Sequence, residues 1–111
     1  MNKYNAVRTV IDGYVFASGA EAQRYCELKH LRIAGVISCL EVHPRILLQP
    51  AFKHHRKTER KIEYEADFRY IQNDVVVVEE VKGFATEAYK LKRKLLLFRY
   101  PEINFIQLNM K

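Results

Sequence analysis

Apolar and polar residues alternate in short runs along most of this chain, and two stretches switch to a helical period. Thr9-Val10-Ile11 and Tyr14-Val15-Phe16 bracket Asp12-Gly13, a dipeptide that favours a two-residue hairpin turn. From Ser18 to about Ala34, the residues Ala22, Tyr25, Cys26, Leu28 and Ile33 recur at helical spacing, and Gly35 supplies the stop. Val36 to Phe52 reads as extended, broken by Pro44 and Pro50 into two short strands or one bent edge strand. Lys53 to Lys61 holds no apolar residue and is expected to be a solvated loop or strand end. Ile62 to Ile71 and Val75 to Lys82 flank Asn73-Asp74 as a second hairpin. Thr86 caps a second helix to about Arg99, ended by Pro101, with Ala88, Leu91, Leu95 and Phe98 as its expected buried stripe. Ile103 to Leu108 forms a last strand, and Met1 to Arg8 an N-terminal arm. The order is hairpin, helix, three strands, helix, strand, in one α/β domain without repeats or linkers.

The stretch from Tyr64 to Gly83 departs from ordinary strand chemistry. Val75 to Val78 suit a strand buried on both faces, yet the run continues into Glu79, Glu80 and Lys82. With Asn73 and Asp74 as the loop, Asp67 lies opposite Glu80 and Glu65 lies opposite Lys82. Carboxylates facing each other at about 5 Å repel by roughly 3 kcal/mol at an effective dielectric near 20. A cation between them reverses the sign, and two hard carboxylates with room for water suit Mg²⁺, with Mn²⁺ able to substitute.

Composition narrows the class without naming it. The chain has 111 residues, 19 Lys/Arg against 13 Asp/Glu, and a net charge of +6, so a tight acidic cluster sits in a basic domain. That combination fits a nucleic-acid binder with a metal site. No apolar run is long enough to span a bilayer, and no basic-then-apolar leader opens the sequence, so a cytoplasmic protein is expected. Cys26 and Cys39 are expected reduced and buried. Together with His43, His54 and His55 they match no closed zinc spacing.

Three motifs recur together here: Ser18-Gly19-Ala20-Glu21-Ala22-Gln23-Arg24-Tyr25, Ala66-Asp67-Phe68, and Val78-Glu79-Glu80-Val81-Lys82-Gly83. From about Lys3 to Leu108 the chain resembles the PD-(D/E)XK nuclease superfamily. More narrowly, it is similar to small phage-encoded endonucleases and Holliday-junction-resolvase-like proteins. Ala66 stands where the superfamily's proline would, at a position that varies within it. The resemblance implies an α-β-β-β-α-β core with a mixed sheet flanked by helices, here preceded by a hairpin. It also implies an Mg²⁺-dependent DNA endonuclease. Asp67, Glu80 and the Val81 carbonyl would hold the metal, Lys82 would assist the attacking water, and Glu21 would help from the first helix. A homodimer would suit branched DNA.

Bland alternatives stand beside several of these roles. Glu21 also completes the capping box that Ser18 opens, and Lys82 also pairs with Glu65 across the strands. Glu79 points away from Glu80 and is not assigned to the metal. Gln49 touches a phosphate or satisfies backbone groups, and Tyr89 and Phe84 reach a nucleotide or pack in the core. Lys53, Arg56, Lys57, Arg60 and Lys61, with Lys90, Arg93 and Lys94 of the second helix, are expected to contact DNA phosphates. A non-catalytic DNA-binding or assembly module with the same fold is the rival function.

Overall fold

The computed structural model describes residues 7–109, and the arm expected over Met1 to Arg8 falls, up to residue 6, outside them. In chain order the elements are β1 (Thr9–Ile11), β2 (Tyr14–Phe16), α1 (Gly19–Ile33), β3 (Ser38–Val42), β4 (Arg45–Gln49) and β5 (Phe52–His54). There follow β6 (Lys57–Glu59), β7 (Ile62–Glu65), β8 (Phe68–Gln72), β9 (Val75–Lys82), α2 (Glu87–Arg99) and β10 (Asn104–Asn109). The main sheet has the order β10-β9-β8-β3, with β10 parallel to β9 and the other neighbours antiparallel. The mixed sheet and two helices agree with the expected α/β class, but seven strands rather than three separate the helices, and of these only β3, β8 and β9 enter the main sheet. Among the described residues no helix is long and apolar enough to cross a membrane.

Local chemistry explains the turns. Asp12 (φ 54°) with Gly13 (φ 82°), and Asn73 (φ 53°) with Asp74 (φ 63°), take the left-handed conformations of two-residue hairpin loops. The Asn73-Asp74 turn sets Phe68 opposite Glu79 and Gln72 opposite Val75, the register expected from sequence. Ser18 Oγ accepts the Glu21 amide at 3.2 Å and Thr86 Oγ1 accepts the Tyr89 amide at 3.1 Å, capping the two helices.

Strand β9 divides the core by alternation. Val77 joins Phe16, Tyr25, Leu28, Phe68 and Tyr70 under α1, whereas Val78 joins Tyr64, Ala66, Tyr89 and Leu96 under α2. Glu79 and Glu80 continue the alternation at the strand's end, and both are buried.

The middle of the chain corrects the sequence expectation. The segment Lys53 to Lys61 is solvated as expected, but it is a paired hairpin rather than a loop or strand end: β5 and β6 pair around His55 (φ 48°) and Arg56 (φ 68°). With β4 against β7 and β3 against β8, residues 38–72 form one long antiparallel ribbon, bent in the middle and bulged twice. The ribbon passes from the sheet to the α2 side at the bend, so Glu65 pairs with Arg45 and does not face Lys82. Tyr100 Oη, at the end of α2, donates to the Leu47 carbonyl at 2.7 Å and fixes the ribbon's base. Beyond it, residues 49–62 are exposed throughout. Cys26 is half-buried but Cys39 is exposed, in a bulge of β3 where its φ of 55° breaks the pairing.

The stripes of both helices differ from expectation. Ile33, the last residue of α1, is 70% exposed. In α2 the buried residues are Tyr89 and Leu96, while Leu91, Leu95 and Phe98 are exposed and Ala88 lies with them. The helix carries two apolar stripes, and the sheet takes the one bearing Tyr89, whose hydroxyl donates to Gln107 Oε1 at 2.6 Å on β10. Leu96→Ala should therefore cost about 2–5 kcal/mol in urea unfolding, the range for emptying a core leucine site. Phe98→Ala, at a residue 86% exposed, should change stability by about 0.5 kcal/mol or less.

Candidate active site

The bend in the ribbon is where the acidic residues meet. Val42 faces Phe68 on one side of it and Arg45 faces Glu65 on the other. The unchanged offset sets His43 opposite Asp67. The His43 amide donates to the Asp67 carbonyl at 2.9 Å, and the Asp67 amide donates to the Glu79 carbonyl at 3.2 Å. Asp67 is thus held between two strands by its own backbone, at the point where the chain leaves the sheet.

Three elements aim carboxylates there. Asp67 Oδ2 accepts the Val81 amide at 2.6 Å. Glu21 comes from the first turn of α1, is buried, and places Oε1 2.8 Å from His43 Nε2. Glu21, His43 and Asp67 each offer a ligand atom within 4.8 Å of the others. Glu80 lies on the α2 side, where Tyr64 Oη donates to its Oε1 at 2.6 Å and Lys82 Nζ stands 3.4 Å from its Oε2. Lys82 also sits 4.4 Å above the centre of the Tyr89 ring, which restricts its ammonium to the neighbourhood of Glu80. An open hollow of about 240 Å³ lies over Glu80 and Lys82, with Lys92 on its rim.

The electrostatics record the crowding. Burial, then the charges of Glu80 and Glu21, push the Asp67 carboxyl up to about 8, against the Val81 amide and Lys82, which act the other way. Burial also raises Glu80, although Tyr64 and Lys82 favour its charged form. Burial and the Glu80 carboxylate push the Tyr64 hydroxyl well above the usual phenol range, so it remains a donor. Such a site favours either a proton or a cation.

Glu79 behaves differently. It is fully buried on the α1 side, where Arg24 holds it through Nε at 2.8 Å and through an Nη at 2.7 Å, and Tyr70 also donates to it. Its charge is neutralised within the core, which leaves Glu21, Asp67 and Glu80 as the carboxylates of the site.

The expected site residues thus fall into groups. Glu21, Asp67, Glu80 and Lys82 converge, and Val81 joins them through its amide. Gln49 ends β4 opposite Ile62, about 13 Å along the strand from Arg45, and is not brought to the carboxylates. Lys53, Arg56, Lys57, Arg60 and Lys61 lie on the exposed outer ribbon, where Lys61 meets Glu63 at 3.4 Å. Lys90, Arg93 and Lys94 border a separate open hollow with Gln107. Phe84 is exposed, whereas Tyr89 packs in the core. His43 was missed as a member of the site. Its signal was register, carried from a turn at His55-Arg56 that the sequence presents as a charged loop.

The raised Asp67 carboxyl has a definite sign in stability. Between the unfolded value near 3.8 and the folded value of about 8, the folded form holds a proton that the unfolded form has lost. This group's contribution is therefore complete below the lower value and is lost as pH rises through the upper one. Without metal, Asp67→Asn should gain stability relative to wild type between pH 4 and 8, and the gap should level off above that. Denaturant unfolding in a chelator across this range measures it.

A family model described as a protein of unknown function, DUF1064, matches residues 1–110. No curated protein matches the chain. Matched over nearly its whole length, the chain belongs to the DUF1064 family.

Proposed function

We propose that the protein is an Mg²⁺-dependent DNA endonuclease with chemistry of the PD-(D/E)XK type. One observation carries this reading: Glu21 and Asp67 meet at a bend of the sheet, and Glu80 with its partner Lys82 stands near enough for both charges to act on the Asp67 carboxyl. The donors are hard oxygens, with hollow space over Glu80 for water and a phosphate, which fits Mg²⁺. Asp67 and Glu80, with the Val81 carbonyl and Glu21, would hold it. A bound Mg²⁺ would supply a water of lowered pKa and neutralise charge on the phosphate.

The remaining work belongs to the chain. The Val81 amide orients Asp67, and Tyr64 orients Glu80. Lys82, tethered between Glu80 and the Tyr89 ring, presents a positive charge where the phosphate gathers negative charge in the transition state. The outer ribbon reaches up to about 35–40 Å along the strand from Asp67 at the usual rise per residue. Its cations suit phosphates along a duplex or branched DNA, giving affinity without sequence choice. A homodimer would present two such sites to paired strands of a junction, the activity class proposed for this protein.

Labelled four-way junction, flap, nicked and linear duplexes incubated with Mg²⁺ test the reading directly. Lys82→Ala should abolish cleavage while keeping DNA and metal binding, and Asp67→Ala should abolish both cleavage and the Mg²⁺-dependent rise in Tm. Wild-type protein that binds junctions without cleaving any substrate would instead be a non-catalytic DNA-binding module.

Neutralising Arg56, Lys57 and Lys61 together should weaken binding to all sequences alike. It should also flatten the plot of log K against log salt by roughly 0.9 for each phosphate that the variant no longer neutralises. An unchanged slope would move the DNA path to Lys90, Arg93 and Lys94.

A further inference from the structure

We infer that His43, with Glu21 and Asp67, forms a distinct cation position that prefers first-row transition metals over Mg²⁺. This rests on the nuclease reading for Asp67 and Glu21, but it adds a ligand and a metal class that this reading does not require.

The geometry supplies three donors from three elements. His43 Nε2 stands 2.8 Å from Glu21 Oε1, a separation suited to two neighbouring ligands on one ion. All three donor atoms lie within 4.8 Å of one another. Among the described residues, Asp67 takes a side-chain hydrogen bond only on Oδ2, from the Val81 amide, which leaves Oδ1 for a ligand. Glu80 stands apart from this group, held on the α2 side by Tyr64 and Lys82. Asp67 is thus the bridge between an all-oxygen side toward Glu80 and a mixed nitrogen–oxygen side toward His43.

The donor set decides the metal. Imidazole nitrogen suits transition cations, whereas Mg²⁺ prefers oxygen and retains its waters. The ring's placement is also over-determined. His43 is fixed by its amide on the Asp67 carbonyl at 2.9 Å and by its ring against Phe16 at 5.7 Å between centres. A simple bond from His43 to Glu21 would orient that carboxylate for any cation equally. A ligating imidazole discriminates among cations, so the two roles separate on metal preference.

The test is calorimetric titration of the full chain with CoCl₂, MnCl₂ and MgCl₂ in separate experiments. His54→Gln/His55→Gln serves as background, so that the paired histidines at the ribbon tip do not contribute. His43→Asn is the diagnostic variant, because asparagine tolerates the φ of 54° at this position and offers oxygen in place of nitrogen. The Co²⁺-to-Mg²⁺ affinity ratio should fall about tenfold or more in His43→Asn, with Mg²⁺ affinity nearly unchanged. Visible absorption of the Co²⁺ complex should shift as the nitrogen ligand is removed. An unchanged ratio, or an equal loss for all three cations, overturns the inference and reduces His43 to a prop for Glu21. In that case Mg²⁺ binding that disappears in Asp67→Ala would leave the nuclease reading intact. Wild-type protein that binds none of the three cations would remove both.

Discussion

The Arg24–Glu79 pair sets where everything else at the site can stand. Glu79 occupies a core position on β9, and a buried carboxylate without its partner would be intolerable there. Removing one member of such a pair typically costs about 3–5 kcal/mol. Two guanidinium contacts and the Tyr70 hydroxyl answer the charge. In doing so they pin α1 against β9 in rotation and along its axis, and Arg24 lies about one turn beyond Glu21. The carboxylate of Glu21 reaches the ribbon bend because Arg24 has already fixed the helix. A contact that looks purely structural therefore sets where the Glu21 carboxylate stands.

The opposite face works by crowding rather than by neutralisation. Glu80 continues the alternation that buries Val78, and the ribbon bend delivers Asp67 beside it. Tyr64 and Lys82 soften this only in part, as the raised carboxyl of Asp67 records. A fold that tolerates such a cluster spends stability on it, which is the usual mark of a site kept for function. The proposed cation would turn that cost into binding.

Much of this was readable locally. Asn73-Asp74 and Asp12-Gly13 specified their turns because their backbone conformations are chosen by the residues themselves. The Ser18 and Thr86 caps, and the β8–β9 register as far as Phe68 and Glu79, followed in the same way. Long-range choices were hidden. Tyr89 and Leu96 won burial over Leu91, Leu95 and Phe98 because Gln107 and the sheet accept them, and nothing within the helix records that. Glu65 missed Lys82 because the ribbon leaves the sheet at Ala66, whose amide turns to the Pro44 carbonyl at 3.1 Å. His43 escaped notice because its partner, Asp67, is reached only through a turn of His55 and Arg56 that carries no glycine or asparagine.

The parallel strand β10 follows every one of its sheet neighbours in the chain. Until residues 104–109 leave the ribosome, β9 is an edge strand, with a row of open amides and carbonyls beside its valine run. Unpaired edges of that kind template pairing with other chains. Synthesis at about 5–20 residues per second exposes this edge for as long as the whole of α2 and the strand after it take to emerge. The window of vulnerability to aggregation thus falls between the emergence of β9 and that of β10. Chains that terminate before Asn104 would carry that open edge permanently and should be substrates for chaperones and proteases.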